Sequence, residues 1–186
     1  MKKLLLYLFV FTTSSIIAQK VAIVGLNHVS SPDGFTFVAT ENLSVGEVIY
    51  FTENEYNNST NKFNDLNESV VKFTVTTAIN KGNVVYVAET GITTDTLTIT
   101  ASSGAGTAVK TSSSSNFAIA TSGESLYAYS DTDENPTNGV TEIYAAIYTG
   151  ISSASGGDRG SSSGSSAKNV LGVFMRGLLC RRLCKE

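Results

Sequence analysis

The sequence predicts an all-β protein, a two-sheet β-sandwich of about eight or nine strands. Three observations point there. Short runs rich in Val, Ile, Thr, Tyr and Phe recur through residues 19–150, turn-forming clusters separate them at fairly even spacing, and no helix of ordinary length is visible before Gly150. The turn spacing favours a sandwich over a solenoid, and no repeat of fixed period is present.

Residues 21–26 read as the first strand, stopped at Ser30-Ser31-Pro32-Asp33-Gly34, where proline presets φ and glycine permits the turn. Residues 35–40 set Phe35, Phe37 and Ala39 against Thr36, Val38 and Thr40, after which Leu43-Ser44-Val45-Gly46 turns the chain. Residues 47–53 place Val48, Tyr50 and Thr52 on one side and Ile49 and Phe51 on the other. Residues 54–67 contain six asparagines and few apolar side chains, which predicts a long polar loop of the kind that carries binding function on a rigid scaffold. Strands resume at 69–75 and 83–89 across a turn at Asn80-Lys81-Gly82. Residues 94–100 alternate threonine with Leu97 and Ile99, the pattern of a strand buried on one face. Residues 101–115 are small and polar and predict a mobile connection with at most a short strand near Val109. Residues 116–120, 125–129 and 143–148 complete the set, with Gly123 turning between the first two.

The ends of the chain are different material. Lys2 and Lys3, an apolar run from Leu4 to Val10 and then Ile16-Ile17-Ala18 have the order of an export signal, with cleavage expected after Ala18. Ile16, three before the cut, is larger than the usual small residue there, and the apolar core is too short to span a bilayer as a retained anchor. Residues 19–150 then form the β-sandwich domain, with five lysines and no arginine against fourteen carboxylates, a net charge of −9. A surface that acidic repels phosphate backbones and argues against nucleic acid as a partner. Residues 151–186 reverse the sign to +4 and hold all four arginines and both cysteines. Their Ser/Gly-rich first half reads as a flexible linker, and residues 168–185 mix apolar and basic side chains. One reading of this tail is a cationic helix on a membrane surface; the favoured one is that it is not native to the domain. Cys180 and Cys184, four apart, would lie on one face of such a helix.

The best local constellation for chemistry is the twelve-residue run from Asp131 to Glu142. Asp131, Asp133, Asn135 and Glu142 put oxygens at alternate positions with a closing acid, the spacing by which a hard cation such as Ca²⁺ gathers ligands, with a backbone carbonyl near Thr137. Pro136 stands at the sixth position, where helical calcium loops need glycine at positive φ, so a structural Ca²⁺ would sit in a β-hairpin loop of another geometry. The alternative is a solvated acidic turn. Glu53, Glu55, Tyr56 and Asn57 form a second candidate, two carboxylates at a strand end with an aromatic ring for a polar ligand. A carboxylate pair also serves glycoside hydrolysis, but a solvated loop entrance is the commoner meaning of such residues.

His28 is the only histidine, so any serine or cysteine triad would depend on it. The Gly160-Ser161-Ser162-Ser163-Gly164 run lacks the strand and helix that would strain a serine outward. Thr96, Thr98 and Thr100 form a single threonine ladder, expected on an exposed strand face and too isolated for an ice-binding surface. No catalytic residue is assigned.

Phe35-Thr36-Phe37-Val38-Ala39, the run Leu43-Ser44-Val45-Gly46-Glu47-Val48-Ile49-Tyr50-Phe51-Thr52-Glu53-Asn54-Glu55, Phe117-Ala118-Ile119-Ala120 and Gly123-Glu124-Ser125-Leu126-Tyr127-Ala128-Tyr129 resemble an N-terminal module of secreted and cell-surface proteins of Bacteroidetes-type bacteria. The resemblance spans about residues 21–150 and implies a fold more than an activity. Such proteins are often large and carry a C-terminal sorting domain, which the basic tail does not match. The architecture is also similar to lamin-tail-like sandwiches, with no site residue carried over.

Together these features predict a secreted or cell-surface, non-catalytic binding or adhesion module whose ligand, a glycan or a matrix protein, meets the 54–67 and 131–142 loops. The alternatives are an accessory or truncated fragment of an extracellular hydrolase and a structural spacer. Membrane contact is expected only through the tail.

Overall fold

The computed structural model describes residues 19–27, 33–64, 66–89, 97–101, 104–111, 117, 119 and 125–148, without side chains for 97–101 and Tyr148. The export segment, His28, the threonine-ladder side chains, the 160–164 run, Cys180 and Cys184 lie outside the described residues. Among the described residues there is no helix, hence none long and apolar enough to cross a membrane.

Eleven strands occur among them: β1 (Val21–Asn27), β2 (Gly34–Ala39), β3 (Val48–Thr52), β4 (Tyr56–Asn57), β5 (Lys62–Phe63), β6 (Val70–Val75), β7 (Val84–Glu89), β8 (Leu97–Ala101), β9 (Gly106–Lys110), β10 (Ser125–Ser130) and β11 (Glu142–Tyr148). They form a four-stranded sheet in the order β1-β2-β7-β8, a five-stranded sheet in the order β11-β10-β3-β6-β9, and the separate hairpin β4-β5. Every pairing is antiparallel. The architecture is the predicted all-β sandwich.

The period of two along each strand builds the core between the sheets. Phe35 and Phe37 of β2 and Val85 and Val87 of β7 meet Ile49 and Phe51 of β3 and Val71, Phe73 and Val75 of β6, all of them buried. Four phenylalanines interlock at the centre: Phe35 and Phe37 lie 4.5 and 5.3 Å from Phe51, and Phe37 meets Phe73 edge-on at 5.2 Å. Such tilted and edge contacts add to the burial term, which is about 1.5–3 kcal/mol for each fully buried large apolar side chain.

Three connections carry the chain between the sheets, β2 to β3, β6 to β7 and β8 to β9, and the first two run side by side. Leu43 and Ile79 exchange both backbone hydrogen bonds, at 2.8 and 3.0 Å, and bury their side chains beneath the crossing. The pair satisfies backbone groups that a buried crossing would otherwise strand.

Three stretches refine or differ from the sequence reading. The short strand expected near Val109 within residues 101–115 is the edge strand β9, where small side chains serve close packing. A Cβ on Gly106 would lie 2.5 Å from the Thr74 carbonyl oxygen and 2.6 Å from the Phe73 ring. Residues 116–120 were expected as a strand, yet Phe117 and Ile119 lie outside any strand and still belong to the core. Phe117 packs on Phe35 at 5.7 Å, and the Ile119 amide donates to Asp33 Oδ2 at 2.9 Å, so a carboxylate replaces a ladder partner. The 54–67 loop is partly ordered as β4-β5.

Candidate functional site

The five-stranded sheet is buried on both faces. Opposite the main core, Tyr50 of β3, Val70 of β6 and Tyr127 and Tyr129 of β10 form a second apolar cluster with Phe63 of β5 and Val140. Tyr50 and Tyr129 sit opposite each other in register and stack at 5.4 Å, while Phe63 lies 5.5 Å from Tyr127 and 5.0 Å from Tyr129. The 54–67 and 131–142 segments, singled out separately in the sequence, are the two halves of the lid over this cluster.

Each half is held by asparagine chemistry. At the neck, Asn54 Nδ2 donates to Thr52 Oγ1 at 2.6 Å and to the Glu68 carbonyl at 3.1 Å, and Asn54 Oδ1 accepts from the Glu68 amide at 3.0 Å. Thr52 Oγ1 in turn donates to the Ser69 carbonyl at 2.8 Å. At the tip, Asn57 Oδ1 accepts from the Ser59 amide at 3.0 Å, the side-chain mimicry of a turn that asparagine favours. Asn61 adopts φ of +53°, a region asparagine enters more readily than most residues. That conformation is accompanied by two bonds across the lid, from the Val140 amide to the Asn61 carbonyl and from Asn61 Nδ2 to the Val140 carbonyl, at 2.9 and 2.8 Å. The Phe63 amide donates to the Pro136 carbonyl at 3.0 Å, a third bond between the halves.

The alternate spacing of the acidic run has a direct structural reading. Asp131 Oδ1 accepts from the Asp133 amide at 3.4 Å, Asp133 Oδ1 from the Asn135 amide at 3.1 Å and Asn135 Oδ1 from the Thr137 amide at 3.4 Å. Each oxygen-bearing side chain thus caps the backbone two residues on. Thr137 Oγ1 also donates to Asn135 Oδ1 at 2.6 Å, and Asn138 Nδ2 to Asp133 Oδ2 at 2.7 Å. The Asn138 bond, followed by the Asn135 amide, holds the Asp133 carboxyl below its usual range, whereas burial raises that of Asp131. Glu134, at φ +62°, pairs with Lys72 and accepts from the Tyr50 hydroxyl, which lowers its carboxyl in that order.

The four candidate cation ligands are not brought to one point. Glu142 opens β11 opposite Ser130, one step out of phase with Asp131; burial raises its carboxyl, and the charges it senses are Lys20 and Glu41. Among the described residues no group of three or more His, Cys, Asp or Glu is placed to hold a metal ion.

The second candidate set also divides. Glu53 is 2% exposed, correcting the picture of an open carboxylate pair at the loop entrance. Glu55, before β4, and Asn57, at its turn end, are half-buried, and Asn57 Nδ2 donates to Asn64 Oδ1 at 3.2 Å. Tyr56 is a strut of the lid: its ring meets Phe63 edge-on at 5.4 Å and its hydroxyl donates to Asn61 Oδ1 at 2.6 Å. Exposed at the tip are Asn58, Ser59 and Thr60. Asn61, Tyr50 and Lys72 were not anticipated, although bulky side chains on both faces of residues 48–52 were a readable sign that each face is covered.

The outer face of the four-stranded sheet contrasts with this lid. Thr36 and Tyr86 sit side by side there, as do Val38 and Val84, and Val84 is 50% exposed.

No protein-family model, curated protein or solved structure matches the chain.

Proposed function

We propose that the chain is a secreted or cell-surface, non-catalytic binding or adhesion module, and that the rim of its lid meets an extracellular ligand, a glycan or a matrix protein. One observation carries this reading. The exposed amides and hydroxyls of Asn58, Ser59 and Thr60 stand on a hairpin pinned to a second loop and seated on buried aromatic rings. Neutral donors and acceptors held on a preorganised base suit a polar, weakly charged ligand, because little conformational freedom remains to be lost on binding. The basic-then-apolar N-terminus supports export. The test is retention of ligands by the full chain on glycan and matrix-protein arrays. A binding module retains one, and Asn58→Ala with Thr60→Ala releases it at unchanged melting temperature. No retention on either array, or a product found only inside cells with Met1 intact, contradicts the reading.

A further inference from the structure

Asn138-Gly139 is the only asparagine-glycine pair in the chain, and it stands directly before Val140, which bonds Asn61 across the lid. An asparagine carries an electrophile, its side-chain amide carbon, one five-membered ring away from the backbone nitrogen of the next residue. Glycine leaves that nitrogen unshielded because it has no Cβ. The fold leaves it unengaged as well. The amides on either side are bonded, Asn138 to the Asn135 carbonyl at 3.1 Å and Val140 to the Asn61 carbonyl at 2.9 Å, whereas the Gly139 amide donates to no group among the described residues. Asn138 is exposed, so water and hydroxide reach it. Other exposed asparagines lack one of these conditions. Asn135 precedes Pro136, which has no N–H to give up. Asn58 precedes Ser59, whose amide is bonded to Asn57 Oδ1, and Asn42, Asn67 and Asn80 likewise precede bonded amides, those of Leu43, Glu68 and Lys81.

Loss of the Asn138 amide would strike the lid twice. Asn138 Nδ2 donates to Asp133 Oδ2 at 2.7 Å, a bond that ties the end of the acidic turn to its start. A carboxyl group in place of that amide sets carboxylate against carboxylate, so a bond becomes a repulsion. If the chain also comes to run through the former side chain, the backbone gains one carbon just before Val140. Gly139 already lies against the Asn61 carbonyl, since a Cβ on it would be 3.7 Å from that oxygen, and the added length therefore falls on the bonds between Asn61 and Val140.

We propose that Asn138 is a self-modification site, where water converts the side-chain amide to a carboxylate and so loosens the lid irreversibly with age. Hydroxide takes the Gly139 amide proton, and the nitrogen closes on Asn138 Cγ to form a succinimide. The Cγ–Nδ2 bond breaks, and the nitrogen leaves as ammonia with a proton from water, which restores the hydroxide. Water then adds to either ring carbonyl and opens the ring to aspartate or to isoaspartate, the form that lengthens the backbone. The net exchange is one water in and one ammonia out, with no oxidant or reductant. Ring closure breaks the bond to Asp133, so the folded turn ages slowly. The site requires neither export nor a ligand at the rim.

The experiment is incubation of the folded full chain in mildly alkaline buffer, beside the same chain unfolded in guanidinium chloride, followed for days by peptide mass mapping. In the folded chain the mass gain of an amide-to-acid exchange appears at Asn138 several-fold faster than at any other asparagine, as both aspartate and isoaspartate. The converted chain melts several degrees lower than the fresh one and exchanges its Val140 amide faster. Asn138→Gln, whose longer side chain cannot close the five-membered ring, stays intact and keeps its starting melting temperature over the same period. An Asn138 that remains intact in the folded chain through an incubation that converts it in guanidinium chloride overturns the proposal. So does faster conversion at another asparagine, or a converted chain with an unchanged melting temperature and a protected Val140 amide.

Discussion

Asn61 and Val140, 79 residues apart, hold each other by two hydrogen bonds: the Val140 amide donates to the Asn61 carbonyl, and the Asn61 side-chain amide donates to the Val140 carbonyl. This clasp joins the hairpin to the acidic turn and makes one lid of two loops. Lid, aromatic cluster and sheet therefore form a single stack, and damage at the clasp should be felt in global stability.

Asn61 gives the first prediction. Asn61→Gly keeps the left-handed backbone and loses two side-chain bonds, to the Val140 carbonyl and from the Tyr56 hydroxyl, lowering unfolding free energy by about 1–3 kcal/mol. Asn61→Ala loses the same two bonds and adds roughly 1 kcal/mol of positive-φ strain. Urea denaturation of both variants checks the order. Equal loss in the two would show that the backbone conformation at this position is not enforced.

Phe63 tests the aromatic cluster. It is fully buried between Tyr56, Tyr127 and Tyr129, so Phe63→Ala should cost about 3–5 kcal/mol while the far-ultraviolet β signature persists. A loss below about 1 kcal/mol would mean that the lid is not packed on the sheet.

Gly106 tests the tight edge. A methyl group there would have to displace either the Thr74 carbonyl or the Phe73 ring. Gly106→Ala is expected to destabilise by about 1–3 kcal/mol as overpacking, although alanine is ordinarily the better strand residue. Calorimetric melting of the variant decides the sign.

Alkali should undo the lid. Burial raises the phenols of Tyr50, Tyr56 and Tyr129 above their ordinary value of 10.0, so each keeps its proton in the folded chain at a pH where the unfolded chain has lost it. Their contribution is fully present below pH 10 and is lost as pH climbs above it. Lys20, raised by its bond to Glu47, acts in the same direction from its ordinary 10.5 upward. Stability should hold flat from neutrality to about pH 10 and then fall steeply, with phenolate absorbance appearing together with unfolding. Phenolate formation by all the tyrosines near pH 10 in a still-folded protein would contradict this.

How much of this was legible in the sequence depends on range. The alternation in β2, β3, β6 and β7 is local, and it marked the strands to within a residue or two and set Phe35 with Phe37, and Ile49 with Phe51, on one side of their strands, faces that the structure joins in one core. The lid was not legible, because Asn61 meets Val140 only once β3, β10 and β11 have closed the sheet between them. The regular spacing of Asp131, Asp133 and Asn135 was visible, but it encodes successive backbone caps, and strand phase then carries Glu142 away from them. Residues 104–110 were legible only as a short strand near Val109, because small side chains mark both loose linkers and strands pressed against large rings, and only the neighbour, here Phe73, tells which.

The central claim is that two distant loops form one rigid lid on the five-stranded sheet. Amide hydrogen exchange tests it at two groups, the Val140 and Phe63 N–H, whose partners are the Asn61 and Pro136 carbonyls across the lid. Both should exchange as slowly as the amides of β3, since opening either requires lifting the aromatic cluster. Exchange at the rate of an open loop, while β3 stays protected, would contradict the account.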